Sequence, residues 1–260
     1  MDALLWFVAS LVALVSVVRW IHRHLHGVAY LLTGNPEMAL LLYSLPLLPG
    51  VVLHELSHVA MAILLRVKTS GFSVVPRRDP RGHVALGSVM VERVDPVRAS
   101  LIGIAPLLAG CGMVLLIGER VFGLSDLGRV LLSGQGPAIG EALSRLVQAP
   151  DAWLWLYLIF AISNAMLPSE SDRETWPPVI LFIAGVLLLA VVADQGALLQ
   201  ALADPVYAAM TWLAAAFIFT LAINIPVLLL IAVVERSTET VSHRKIEYRK
   251  PDEGGSKRRR

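Results

Sequence analysis

Cysteine is almost missing from this chain: Cys111 is the single one among 260 residues. One thiol excludes an internal disulfide and any zinc cluster built on cysteines. It sits in the apolar run LLAGCGMVLL and reads as a small packing residue. Charge is sparse as well, at 16% of residues, and nearly cancels to +2. That balance gives no sign of a nucleic-acid partner, and none is expected. The amino terminus lacks a basic region and a small-residue cleavage site, so its first apolar run is expected to stay as a helix. No internal repeat is visible.

Apolar side chains are what the chain has in excess. Hydrophobic residues make up 56% of it, and mean hydropathy is +0.69. Several windows approach 20 apolar residues, enough to cross a hydrocarbon core of about 30 Å as a helix. The pattern predicts an all-α polytopic membrane protein with about six transmembrane helices. They fall near 3–20, 38–66, 98–117, 152–169, 178–193 and 209–234. The second contains Pro46, Pro49 and Gly50, so a kink or a non-helical entry is expected before Val51.

Basic residues orient such a bundle. Arg66, Lys68, Arg77, Arg78, Arg81, Arg93 and Arg98 crowd the segment between the second and third spans. Nine more follow the sixth, from Arg236 to Arg260. Residues 118–151 hold only Arg120, Arg129 and Arg145. The expected protein is multi-pass, in a bacterial-type plasma membrane, with both termini cytoplasmic. Residues 236–260 are read as a basic, disordered cytoplasmic tail. Between the second and third spans, GFSVV, PRRDPRGH and VALGSVMVERV read as two β-type runs around a turn, predicting a small hairpin at the cytoplasmic face. AIGEALSRLV, residues 138–147, has the spacing of an interfacial helix.

Within the second span stands His54-Glu55-Leu56-Ser57-His58, an HExxH motif. Charged and metal-binding side chains are costly in a membrane and point to function. On a helix, positions i and i+4 share a face. His54 and His58 can therefore offer two imidazole nitrogens to one zinc ion. Glu55, next in sequence, can act on a metal-associated water without ligating. A catalytic zinc needs a third protein ligand. Glu170, Asp172 and Glu174, just past the fourth span, arrive on the same side as HELSH in this topology.

HELSHVAMAILLRVKTSGFSVVP resembles the active-site helix and following strand of site-2 protease-type intramembrane metalloproteases. That family carries a second motif, NxxPxxxLDG, on a later helix. Asn164 and Asp172 have its eight-residue spacing, while Pro168 stands one place late and Ser171-Asp172-Arg173 replaces LDG. The resemblance implies Asp172 as the third ligand, and Asn164 as a residue binding substrate backbone. It also likens GHVALGSVMV to a membrane-associated hairpin that pairs with an unwound substrate strand, and ASLIGIAPLLAG to the start of the next core helix. By this resemblance, residues 1–235 form a transmembrane metalloprotease-like domain with its core at 38–175. The resemblance further implies one Zn2+ per chain.

Other polar residues have plainer readings. Asn224, beside Pro226, reads as a kink or packing contact. His22, His24 and His26 read as interfacial residues on the side opposite HELSH. His83 reads as a solvated turn residue, and Ser57 as filling a tight helix contact. The expected function is zinc-dependent intramembrane cleavage of a membrane-anchored protein substrate, within or near its transmembrane helix. No stretch reads as a long regulatory domain, so a separate regulatory partner or prior trimming of the substrate is the expected control. The alternative is a catalytically inactive relative that binds membrane helices.

Overall fold

Asparagine, proline and glycine punctuate the first helices. The computed structural model describes residues 2–78, 84–126, 129, 141, 144, 148–192 and 196–242. Helix α1 (Asp2–Thr33) closes at Gly34, whose φ of 64° suits a residue without Cβ. Asn35 then starts α2 (Pro36–Ser44). Its side chain accepts the Glu37 N–H at 2.8 Å and the Met38 N–H at 3.3 Å, and Pro36 fills the first helical position. A 3-10 turn at Leu45–Leu47 joins α2 to α3 (Leu48–Leu64). The expected irregularity before Val51 is this turn, placed where Pro46 and Pro49 lack N–H donors.

A hairpin follows. Strand β1 (Thr69–Ser73) pairs antiparallel with β4 (Ser88–Val91), in the register Thr69 to Val91 and Ser73 to Ser88. Gly71, at φ 76°, takes the bulge between Ser70 and Phe72. Further out, β2 (Arg77–Arg78) pairs with β3 (Val84–Ala85). His83, at the tip, lies outside the described residues. Asp95 caps α4 (Pro96–Phe122), accepting the N–H groups of Val97 and Arg98 at 3.1 and 3.0 Å.

Most of the expected interfacial helix at 138–147 also lies outside the described residues. The chain re-enters the packed body as α5 (Ala152–Ala165) and turns through the four-residue α6 (Glu170–Arg173). It then continues as α7 (Trp176–Val192) and α8 (Gly196–Ser242).

Close backbone packing holds the centre together. A Cβ on Gly50 of α3 would lie 1.9 Å from the Ala161 carbonyl oxygen of α5. One on Gly110 of α4 would lie 2.4 Å from the Met166 Cβ. Small residues let membrane helices approach this closely, where burial of apolar surface alone gives no drive. Cys111 is fully buried in the same region, with Leu14, Met166 and Phe217, in keeping with a packing role. Helix α1 lies along α8, and Ile21 and Ile231 share one buried cluster. Facing outward are large apolar side chains such as Leu64, Leu181 and Val192, each about three-quarters exposed.

Four helical segments are long and apolar enough to cross a membrane: 3–33, 36–64, 96–122 and 200–241. The apolar pattern of the sequence predicts two further spans, at 152–169 and 178–193. Instead α5, with 14 residues, is about 21 Å long and too short alone. It is bent by 56° against Glu170–Leu189, so the two together count as at most one broken span. Pro168 and the polar run Ser169–Thr175 interrupt the helix there. The chain turns polar at Arg236, as read, but its first residues are helical and not disordered. Helix α8 runs on to Ser242, with the Ser237 and Thr238 hydroxyls donating to the Val233 and Val234 carbonyls at 2.9 and 2.7 Å.

Candidate metal centre

The HELSH segment lies in the middle of α3, where the helix repeat places His54 and His58 one above the other. Their rings meet edge to face, with centroids 4.9 Å apart. His54 Nδ1 lies 2.6 Å from the Ala165 carbonyl oxygen and His58 Nδ1 lies 2.9 Å from that of Ile102. A carbonyl oxygen only accepts, so each ring carries its proton on Nδ1 and donates it outward. Both Nε2 lone pairs are thereby turned inward. This is the outer support that metal-ligating histidines receive.

Asp172 completes the set from α6. Ser169 caps that helix in a reciprocal box: the Asp172 backbone N–H donates to Ser169 Oγ at 3.3 Å, and Asp172 Oδ2 accepts the Ser169 N–H at 2.7 Å. The Ser169 hydroxyl also donates to Oδ2 at 2.6 Å. Helix α4 meets α6 backbone to backbone, because a Cβ on Gly103 would lie 2.2 Å from the Asp172 carbonyl oxygen. Ser100 Oγ donates to the Thr175 carbonyl at 3.1 Å, holding the same turn.

The three groups converge. His58 Nε2 is 3.2 Å from His54 Nε2 and 3.3 Å from Asp172 Oδ1, and His54 Nε2 is 3.6 Å from Asp172 Oδ2. With neutral rings protonated at Nδ1, none of these atoms has a hydrogen to offer the others. Three acceptors facing one another in a largely buried place are stabilised by positive charge between them, either a metal ion or a second proton on one ring. Ligand atoms around a tetrahedral ion with bonds of about 2.0–2.1 Å stand roughly 3.3 Å apart, close to the 3.2, 3.3 and 3.6 Å found here. The residues present therefore fit a metal ion. Among the described residues, His54, His58 and Asp172 are the group of three His, Cys, Asp or Glu residues able to hold one. Glu170 and Glu174, the other acidic candidates, are exposed.

Glu55 is 6% exposed. It is covered by the hairpin, where a Cβ on Gly87 would lie 2.5 Å from its Oε1. Ser57 is occupied, its hydroxyl donating to the His54 carbonyl at 2.6 Å, as expected for a packing residue.

Asn164 is 3% exposed and faces α8. Its Nδ2 donates to the Phe160 carbonyl at 2.8 Å and to Asn224 Oδ1 at 3.0 Å, while Asn224 Nδ2 donates to Ser163 Oγ at 3.1 Å. Asn224 is thus a packing contact, as read. The Asn164 side chain belongs to this interhelical cluster, and its Oδ1 is buried without a hydrogen-bond partner.

The placement of the amino-terminal histidines needs correction. They were expected opposite HELSH, but α1 runs through them to Thr33 instead of ending near residue 20. His22 Nε2 lies 2.9 Å from the Asn164 carbonyl, the neighbour of the one that holds His54, and His22 Nδ1 lies 2.5 Å from the Tyr43 hydroxyl. His24 lies 2.5 Å from Glu235 of α8 and stacks on Trp20. His26 meets Tyr43 edge-on. These contacts come from sequence-distant elements, so the HRHLH string carried no sign of them. The cap of α6 did have a sign, the S-x-x-D spacing of Ser169 and Asp172.

Compared with known proteins, the chain matches no family model, no curated protein and no solved structure.

Proposed function

We propose that this protein is a zinc-dependent intramembrane endopeptidase of the site-2 protease type. The observation that carries the reading is the convergence of His54 Nε2, His58 Nε2 and the Asp172 carboxylate at 3.2–3.6 Å, beside a buried glutamate. Two imidazoles and one carboxylate suit zinc. The ion, when bound, would polarise a substrate carbonyl and acidify a water.

The chain's own residues do the rest. Glu55 takes a proton from the attacking water and returns one to the departing amine. The Ala165 and Ile102 carbonyls keep both imidazoles in the ligating tautomer. A substrate helix must unwind first, because its carbonyls are held in its own hydrogen bonds. Within the described residues, β4 pairs on one side only, with β1, leaving an edge for such a strand. Asn164, which the resemblance gives to the substrate backbone, is turned into the α5–α8 contact, and that contact would have to open before its buried Oδ1 could accept a substrate N–H. The substrate class is a membrane-anchored protein.

The same placement of Asn164 in the α5–α8 contact, with Ser171-Asp172-Arg173 in place of LDG, supports a second reading: an inactive relative that binds membrane helices. Cleavage of labelled single-span peptides in vesicles, by the native protein and Glu55→Gln, separates the two. The protease reading expects product from the native protein and a loss of about 10²–10⁴-fold in the variant, with zinc retained. Equal product from both, or none from either, overturns it.

A further inference from the structure

We propose that His22, held by Tyr43, is a positioning residue for the metal centre; this rests on the metal-site reading above. Helix α5 ends at Ala165, so its last carbonyls have no donors within the helix. In a dry setting such groups must find partners. Two consecutive ones do so through imidazoles of two different helices. The Asn164 carbonyl accepts from His22 Nε2 of α1 at 2.9 Å, and the Ala165 carbonyl accepts from His54 Nδ1 of α3 at 2.6 Å.

The two carbonyls belong to consecutive peptide units joined at the Ala165 Cα, so a shift at Asn164 is passed through that one carbon to the Ala165 carbonyl and with it to the His54 ring. The same turn of chain leads through Met166–Pro168 to the Ser169 cap and Asp172. One short segment therefore sets the aim of two of the three ligands, and His22 grips it from outside the site. Tyr43 fixes the grip. The Asn164 carbonyl requires the proton on His22 Nε2, which leaves Nδ1 as an acceptor for the Tyr43 hydroxyl at 2.5 Å. Tyr43 is 6% exposed and is packed edge-on by His26, so its hydroxyl has a set direction.

The test is zinc affinity in detergent, by competition with a coloured chelator, on full-length variants, beside the thermal midpoint of each zinc-free protein. Loss of a partner that orients a ligand weakens metal binding by roughly 10–100-fold. His22 acts one bond further out, so His22→Phe is expected near the lower end, about tenfold. Tyr43→Phe, the milder change, is expected to weaken binding a few-fold. The double variant should be no weaker than His22→Phe, because both act through one chain of hydrogen bonds. His22→Gln, whose amide can donate to the Asn164 carbonyl, should recover part of the loss. Native zinc affinity in Tyr43→Phe and in folded His22→Phe overturns the proposal and leaves the metal site standing. So does a lowered zinc-free midpoint with unchanged affinity, which makes His22 helix glue only. A native protein that binds no zinc overturns the metal reading itself, and is read without any variant.

Discussion

Gly87 and Glu55 are in backbone-to-carboxylate contact: any side chain at position 87 would begin 2.5 Å from Glu55 Oε1 and 2.9 Å from its Cδ. The hairpin thus reaches the glutamate of HELSH through the one residue type that leaves room for it. Gly87→Val should displace Glu55 without touching His54, His58 or Asp172. We expect zinc binding to hold within a few-fold while cleavage falls by at least about tenfold, as misplacement of a reacting group costs. Metal content and turnover of the same preparation check this. Full turnover in the variant would show that the contact has no bearing on the reaction.

The α6 cap gives a second prediction. Ser169 holds the Asp172 carboxylate at 2.7 Å through its backbone N–H and at 2.6 Å through its hydroxyl. Ser169→Ala removes the hydroxyl and the N-cap, a loss of about 1 kcal/mol. Asp172 then swings more freely, and zinc affinity should drop roughly fivefold to tenfold. Competition titration against the native protein measures it.

A third prediction concerns packing. Gly50 presses on the Ala161 carbonyl, which is backbone and cannot step aside as a flexible side chain could. Gly50→Leu should force α3 and α5 apart and separate His54 from Ala165. The expected result is a thermal midpoint lower by several degrees, or failure to fold, where the same change at Gly185 is tolerated because nothing lies within 4 Å of it. Thermal unfolding of the two variants side by side decides it.

Periodicity made much of the site legible. HELSH announces its own geometry, since a helix must put residues four apart on one face; counting spans placed Glu170, Asp172 and Glu174 on its side, and the resemblance singled out Asp172 among them. The hairpin was readable from β-type runs around Pro, Gly and Asp. What stayed hidden depends on partners far along the chain. HRHLH looks like the polar end of a first span, yet Tyr43, Asn164 and Glu235 satisfy its histidines and let α1 continue. The apolar run at 152–165 looks like a span, but its length falls short and the chain bends at 166–169. Gly50, Gly87 and Gly103 are silent as letters, because what each one touches is set by tertiary packing.

The central claim is that His54, His58 and Asp172 hold one metal ion. Bound zinc per chain, in detergent and without chelator, tests it most directly on the native protein and Asp172→Ala. The account predicts about one zinc in the native protein and its loss in the variant. No zinc in the native protein, or one retained undiminished by Asp172→Ala, would contradict it.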